Sequence, residues 1–262
     1  CQSEQLLILN MKKADRLVCI APNGLALILL QLACVRNGFI FCPINPKFSN
    51  DEIQQRLSIL NSEFIWQQNS TDSLQLDFSA PNDIHEINKL CKIDPLDIVN
   101  VIFTSGSSGL PKAVMHHFSN HYYSALGSQS VIELSSGDNN LLSLPMFHIS
   151  GYATVMRTLL AGATLHISDS KICTEHLKQR QITHLSLVSS QLVALLKEAK
   201  FYFHEIPIKH LLLGGSAFPS KLLQETKDRG FTYHFSYGST EMASQIATST
   251  NNEALKLLPY RQ

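Results

Sequence analysis

A segment dense in glycine and hydroxyl side chains follows a hydrophobic stretch near the middle of the chain. Residues 104–112 (TSGSSGLPK) contain two glycines, four hydroxyls and one lysine. Glycines let backbone N–H groups approach an anion, hydroxyls donate to phosphate oxygens, and a lysine adds positive charge. Pro111 stands directly before Lys112, so this is not the common loop in which a helix starts at a Lys-Ser or Lys-Thr pair. We predict a polyphosphate-binding loop; the alternative is a flexible turn between two strands.

A second cluster, at residues 237–241 (YGSTE), combines side chains that suit a nucleotide. The ring of Tyr237 can stack on a base, and the hydroxyl of Thr240 can contact a phosphate. The carboxylate of Glu241 is suited to holding Mg²⁺ beside that phosphate. Taken alone, these common residues are equally well explained by a surface turn.

Two further segments place polar or flexible residues where a hydrophobic strand is predicted to end. Gly214, Gly215 and Ser216 follow three leucines, and His148 stands between a strand and a helix. In open α/β sheets, ligands bind at such strand ends. We therefore expect both segments to line a ligand site. A tight strand–helix turn and a structural histidine are the simpler alternatives.

The helix predicted after His148 carries one charged residue, Arg157, among small and apolar side chains. A charge in such a helix must be paired or must face a ligand. The planar guanidinium matches a carboxylate, so Arg157 is a candidate partner for an anionic group. The alternative is an arginine whose head group reaches solvent while its stem covers apolar surface.

The secondary-structure elements that must position these residues follow a regular pattern. Short hydrophobic runs, typical of strands, alternate with segments whose hydrophobic residues recur with the period of a helix. Predicted strands cover residues 16–20, 39–42, 63–66, 97–103, 113–116, 141–144, 164–167, 183–188, 210–213 and 232–235. Predicted helices cover residues 23–36, 49–60, 118–132, 151–160, 174–180, 191–199 and 220–229. The predicted fold class is therefore α/β, with two helix-covered, mainly parallel sheets. A polar stretch at residues 67–94 divides the chain into two predicted lobes, residues 1–95 and 96–262.

Two helix starts carry candidate capping residues. Asn23 is the predicted N-cap of the first helix. Ser49 is followed three residues later by Glu52, and this spacing predicts a capping box at the second helix.

Composition excludes several classes of protein. The chain has 262 residues, 21 Lys and Arg against 21 Asp and Glu, and 44% hydrophobic residues. This balance excludes a disordered tail and provides no basic excess for a nucleic-acid partner. The longest apolar stretch, residues 25–35, is about half of the ~20 residues that span a bilayer. Six cysteines without a C-x-x-C pair are expected to be reduced thiols, which favours a cytoplasmic protein.

The four segments, in this order and spacing, resemble the adenylate-forming superfamily of acyl-CoA synthetases, luciferases and peptide-synthetase adenylation domains. TSGSSGLPK is similar to the phosphate-loop signature of that superfamily, and YGSTE is similar to its Tyr-Gly-x-Thr-Glu motif. The resemblance runs from VCIAPN at residues 18–23 through PINP at residues 43–46 to Glu241. LLSLPMFHISG at residues 141–151 is most similar to the bacterial 2-succinylbenzoate–CoA ligases of menaquinone biosynthesis.

The resemblance implies an AMP-forming acid–thiol ligase that converts a carboxylic acid and ATP into an acyl-adenylate and then transfers the acyl group to CoA. It implies that the β- and γ-phosphates are held by Thr104, Ser105, Gly106, Ser107, Ser108, Gly109 and Lys112.

The same resemblance assigns the remaining site residues. Thr240 would contact the α-phosphate and Glu241 would bind Mg²⁺. Tyr237 would stack on adenine, and Gly238, which follows it, would also belong to the nucleotide-binding residues. Gly214, Gly215 and Ser216 would line the other side of the nucleotide and acyl site. Arg157 would meet the second carboxylate of 2-succinylbenzoate. The residues expected to act in catalysis are His148, Thr240, Glu241 and Lys112.

The sequence departs from the superfamily at its ends. The superfamily continues beyond the Tyr-Gly-x-Thr-Glu motif with an aspartate for the ribose, a hinge and a small domain that carries an adenylation lysine. This sequence ends about twenty residues after Glu241 and does not begin with Met. We therefore expect a large domain that is impaired in adenylation when it stands alone. A ligase for another aryl or fatty acid, and a catalytically incompetent nucleotide-binding fragment, are the alternatives, and a homo-oligomer stays open.

Overall fold

The computed structural model describes residues 5–6, 9–78, 92–105, 110–167, 172–198, 206–251, 253–254 and 256–259. The chain divides into two compact units, Cys1–Ser119 and Asn120–Gln262. Each unit is built on one mostly parallel β-sheet with helices in its connections. The predicted α/β class is confirmed.

The first unit contains a five-stranded sheet. Its strands are β1 (Arg16–Ile20), β2 (Ile40–Ile44), β3 (Ile65–Gln67), β4 (Ile98–Ser105) and β5 (Pro111–His117). Helices α1 (Leu25–Asn37) and α2 (Asn50–Leu60) connect the first three strands. The spatial order is β3–β1–β2–β4–β5, and only the pairing of β4 with β5 is antiparallel.

The boundary between the units lies later than the predicted division after residue 95. β4 pairs in parallel with β2 through Asn100 and Phe41, and β5 pairs with β4. Residues up to Ser119 therefore belong to the first unit. The polar stretch before β4 indicates a long connection. The sequence does not reveal that β4 pairs with β2 and so belongs to the first sheet.

The two predicted helix starts have different outcomes. At α2, Ser49 Oγ accepts from the Glu52 N–H, and the Glu52 carboxylate accepts from the Ser49 N–H at 2.9 Å. This capping box confirms the prediction. At α1 the prediction is wrong, because the N-cap is Gly24 and no side chain caps the helix. Asn23 lies one residue before the observed N-cap.

The second unit contains a seven-stranded sheet. Its strands are β6 (Asn139–Leu142), β7 (Thr164–Ile167), β8 (His184–Leu187), β9 (His210–Leu213), β10 (Tyr233–Ser239), β11 (Ser244–Thr250) and β12 (Lys256–Leu257). Its helices are α3 (Phe118–Gln129), α4 (Ile149–Leu160), α5 (Thr174–Gln179), α6 (Ser189–Lys197) and α7 (Ser220–Asp228). The spatial order is β12–β11–β10–β9–β8–β6–β7, parallel from β7 to β10 and antiparallel beyond.

Alternation along the central strands gives this sheet two different faces. Leu185, Leu187, Leu211 and Leu213 belong to one leucine-rich core and are at most 1% exposed. The alternate positions of β8 carry His184 and Ser186 instead. One face of the sheet is therefore apolar, and the other carries polar groups inside the protein.

Apart from β10, each predicted element begins and ends within three residues of the observed one. β10 continues to Ser239, four residues beyond the predicted end, and β11 and β12 are not predicted at all. β11 is rich in Ser, Thr and Gln, and β12 has only two residues, so hydrophobicity marks neither strand. Cys19, Cys34, Cys42 and Cys173 are free thiols. In the part of the chain that is described, no helix is long and apolar enough to cross a bilayer.

Candidate active site

A cavity of about 390 Å³ lies at the carboxyl ends of β8 and β9 in the second unit. Leu187 and Val188 line it at the end of β8, and Gly214 and Gly215 line it directly after β9. Ligands of open α/β sheets bind at this edge. The volume is in the range of small-molecule sites, which is about 300–1,000 Å³.

Several predicted site residues come together in the wall of this cavity. They are His148, Arg157, Gly214, Gly215, Gly238 and Thr240. Their sequence positions span more than ninety residues, so the sheet and α4 bring them together.

Other predicted residues of the second unit lie outside the cavity wall formed by the described residues. Tyr237 is 62% exposed on β10. Ser216 and Glu241 are also exposed, each next to a residue that lines the cavity. Their predicted roles in binding adenine, the acyl group and Mg²⁺ stay predictions.

The predicted phosphate loop belongs to the first unit. Thr104 on β4 lies opposite Lys112 on β5, and Ser105 lies opposite Pro111. The loop therefore joins two antiparallel strands. Gly106, Ser107, Ser108 and Gly109 lie outside the described residues, so the prediction for them stays a prediction.

The cavity wall also contains polar residues that the sequence analysis does not identify. They are Ser150, Ser186, Ser236, Ser239, Ser244 and Gln245. Ser186 has a detectable signal, because it interrupts a leucine-rich strand at an alternate position. Gln245 lies on β11, a strand that hydrophobicity does not reveal.

The start of α4 is held close to the preceding loop by Gly151. A Cβ atom at this position would lie 2.1 Å from the carbonyl oxygen of Pro145, a distance that real Cβ atoms do not adopt. Glycine therefore permits the close approach that places His148 at the N-cap position of α4.

The His148 side chain makes no capping hydrogen bond, and its ring packs edge-on against Phe147 with centroids 4.9 Å apart. Partial desolvation lowers the pKa of His148, so its imidazole is neutral at pH 7.

Gly238 allows β10 and β11 to approach each other beside the cavity. A Cβ atom there would lie 1.9 Å from the carbonyl oxygen of Ser244. The register of the two strands shifts at this point, between Tyr237 and Gly238. The bulge carries the following residues, including Thr240, into the turn at the cavity wall.

Arg157 is a buried cation on the cavity wall. It is 8% exposed. Its guanidinium donates to Gln245 Oε1 at 3.0 Å, to Thr154 Oγ1 at 2.8 Å and to Ser186 Oγ at 3.2 Å. All three partners are neutral, and no carboxylate of the described residues pairs with it.

The electrostatics of Arg157 favour an anionic ligand. Burial lowers its pKa to about 10, which still leaves the guanidinium charged at pH 7. A buried charge without a counter-ion is unfavourable. A carboxylate that entered the cavity and reached the guanidinium would remove that cost.

Comparison with known proteins places the chain in a family. The family model of the AMP-binding enzymes matches residues 3–259. The chain therefore belongs to the AMP-binding enzymes, the adenylate-forming family that includes acyl-CoA ligases.

More specific similarity is to ligases of one acid. The 2-succinylbenzoate–CoA ligase of Oceanobacillus iheyensis is 29% identical, over 95% of this chain and 54% of that protein. The o-succinylbenzoate CoA synthetase (MenE) of Bacillus subtilis, solved with the acyl-adenylate intermediate OSB-AMP, is 27% identical with a TM-score of 0.82. That match covers 95% of this chain and 68% of the solved chain.

A further structure of the Bacillus subtilis protein holds ATP and a magnesium ion. It has a TM-score of 0.80 and 24% identity, and covers 95% of this chain and 55% of that one; at this identity the likeness concerns the fold. The chain spans about half the length of the curated relatives it matches.

Proposed function

We propose that this chain supplies the acid- and nucleotide-binding part of an ATP-dependent 2-succinylbenzoate–CoA ligase. In the first step a carboxylate oxygen attacks the α-phosphorus of ATP, pyrophosphate leaves and an acyl-adenylate forms. In the second step the sulfur of CoA attacks the acyl carbon and AMP leaves. This reaction belongs to menaquinone biosynthesis. Membership of the AMP-binding family and similarity to ligases of this acid support the proposal.

The observation that carries the choice of acid is Arg157. 2-Succinylbenzoate has two carboxylates, of which one is activated and the other needs a cationic partner. A buried guanidinium with neutral partners, facing a cavity of about 390 Å³, has the charge and shape for the second carboxylate. His148, neutral at the rim, can donate a hydrogen bond near the reacting carboxylate without adding charge.

The nucleotide roles follow the family motifs. Thr104, Lys112 and the hydroxyls and glycines between them would hold the β- and γ-phosphates. Thr240 would contact the α-phosphate, Tyr237 would stack on adenine, and Glu241 would hold Mg²⁺. No cluster of three acidic, His or Cys residues among the described residues forms a metal cage. Glu241 suits Mg²⁺ nevertheless, because this ion is usually held by one or two carboxylates together with water and substrate phosphates. When bound, the ion would offset phosphate charge.

A ligase for another aryl or fatty acid is the nearest alternative. It retains the adenylate chemistry but does not explain Arg157, because an apolar acyl tail would leave a buried charge without a counter-ion. The two proposals therefore differ in how the cavity treats a second carboxylate.

Calorimetric titration with two non-hydrolysable acyl-adenylate mimics separates them. One mimic carries the 2-succinylbenzoyl group and the other a benzoyl group without the succinyl carboxylate. We expect the first to bind at least about tenfold more tightly, about 1.4 kcal/mol, and Arg157→Ala to remove that preference. Arg180→Ala, an exposed arginine that donates to the Ile167 carbonyl, is the matched control. Equal binding of the two mimics would reject the acid, and binding of neither would favour the incompetent fragment.

Turnover tests a second part of the proposal, that the chain alone is impaired in adenylation. We expect the 262-residue chain to form acyl-adenylate far more slowly than the roughly 10 s⁻¹ of a typical enzyme. The assay is pyrophosphate release with 2-succinylbenzoate, ATP and Mg²⁺. Turnover at ordinary enzyme rates would contradict this expectation.

A further inference from the structure

Gln245 contacts the guanidinium of Arg157 from a different secondary-structure element. Arg157 lies on α4, and Gln245 lies on β11. The side chain of Gln245 is 3% exposed, and it lines the same cavity as Arg157. Gln245 therefore shares the environment of the buried charge.

Both ends of the Gln245 amide are engaged. Its Oε1 accepts from Arg157 Nη1 at 3.0 Å, and its Nε2 donates to Thr248 Oγ1 at 3.1 Å. Because a guanidinium has only donors, the amide oxygen must face Arg157. The contact with Thr248 then fixes the plane of the Gln245 amide. The amide oxygen therefore accepts from Arg157 Nη1 in a defined direction.

The other guanidinium nitrogen also has only neutral partners, and the side chains of Gln245, Thr154 and Ser186 together form a neutral frame around Arg157. Arg157 Nη2 donates to Thr154 Oγ1 and to Ser186 Oγ. Thr154 Oγ1 in turn donates to the Ser150 carbonyl at 2.8 Å. The frame orients the guanidinium with hydroxyls and an amide, and none of these groups neutralises its charge.

We propose that Gln245 is a positioning residue that selects for acids with a second carboxylate, because it orients Arg157 without neutralising it. This inference rests on the proposed function. It assigns to Gln245 a specificity role that the motifs of the sequence do not indicate.

Replacement of the amide by a carboxylate separates orientation from charge. In Gln245→Glu the side chain keeps its shape, and the carboxylate still accepts from Arg157. Thr248 keeps a partner, because its hydroxyl can donate instead of accept. The new charge forms an ion pair with Arg157 and competes with the carboxylate of a ligand, since charge-assisted hydrogen bonds are stronger than neutral ones.

The test measures the binding preference and the thermal midpoint of the same proteins. The probes are the 2-succinylbenzoyl- and benzoyl-adenylate mimics, and the proteins are the wild type, Gln245→Glu, Arg157→Ala and Gln191→Glu. Gln191 is the matched control, because its amide bonds Val188 N–H and the Ser143 carbonyl and is not a partner of Arg157. We expect a preference of at least about tenfold in the wild type and Gln191→Glu, and of less than about twofold in Gln245→Glu. We also expect the thermal midpoint of Gln245→Glu to equal or exceed that of the wild type.

Each other outcome counts against a different statement. A preference that is lost in Arg157→Ala but kept in Gln245→Glu would overturn the role of Gln245 and leave the proposed acid standing. A preference lost in Gln245→Glu together with a clear fall in its thermal midpoint would also overturn it, because a damaged fold would then explain the loss. Absence of any preference in the wild type would reject the proposed acid and this inference with it.

Discussion

Acidification is expected to destabilise the second unit through three neighbouring histidines. His184, His210 and His234 lie on β8, β9 and β10, with neighbouring ring centroids 5.1 and 5.0 Å apart. His210 Nδ1 and His234 Nε2 are 2.8 Å apart, so one nitrogen donates and the other must be unprotonated. Burial lowers the pKa of His184 and of His234 to about 4, and it also lowers the pKa of His210.

The size of the effect follows from proton linkage. The unfolded chain protonates these histidines near pH 6.5, whereas the folded chain protonates His184 and His234 near pH 4. Stability is therefore complete above pH 6.5 and falls as the pH is lowered towards 4. At about pH 5 each of the two histidines removes about 2 kcal/mol from the free energy of unfolding, about 4 kcal/mol together. That loss is a large part of the 5–15 kcal/mol typical of a domain.

The carboxylate of Asp138, which acts on His184 and His210, does not change state in this interval. Burial raises the pKa of Asp138, but hydrogen bonds from Lys209 and Ser135 outweigh it and bring the pKa to about 2. Asp138 therefore stays ionised and paired with Lys209 at 2.7 Å. Asp138 therefore does not take up a proton together with the histidines.

Urea unfolding at about pH 7.5 and about pH 5 measures the effect, with hydrogen exchange of β8 to β10 as the readout. Fluorescence of Trp66, the single tryptophan, reports on the first unit as an internal control. His234→Gln retains partners for His210 and Thr250 and should reduce the acid-induced loss by about half. Equal stability at both pH values, or a loss that His234→Gln does not change, would refute the reasoning.

Two further predictions concern local packing. Gly151→Ala places a Cβ atom 2.1 Å from the Pro145 carbonyl oxygen, so it should lower stability by at least about 1–3 kcal/mol and weaken binding of both mimics. A wild-type thermal midpoint in this variant would contradict the close approach. Ser49→Ala removes the acceptor for the Glu52 N–H and should cost about 1 kcal/mol in urea unfolding. Ser58→Ala, which removes a bond to the Gln55 carbonyl within the same helix, should cost less; equal effects would argue against the capping box.

Local signals predicted much of the fold. Ser49 and Glu52 lie within one turn, so their spacing alone defines the capping box. Asn23 failed as a cap because the helix starts one residue later than its sequence suggests. β11 was missed because Ser, Thr and Gln dominate it, and it is held by pairing with β10.

The candidate site was predictable where a local feature of the sequence marked a residue. Gly214, Gly215 and His148 follow hydrophobic strands, and their place in the cavity agrees with the rule for open α/β sheets. Gln245 carries no such signal, and Ser186 is marked only as a polar interruption of a leucine-rich strand. The roles of both residues arise from contact with Arg157 across the fold. The partner of a buried charge is a tertiary property that spacing does not encode.

Arg157 is proposed to hold the second carboxylate of the acid. A crystal structure of the chain with the 2-succinylbenzoyl-adenylate mimic tests it directly. We expect the succinyl carboxylate within about 3 Å of the Arg157 guanidinium, with Gln245 still bonded to the same arginine. A succinyl carboxylate exposed to solvent or bound by other residues, with Arg157 facing away from it, would contradict the account.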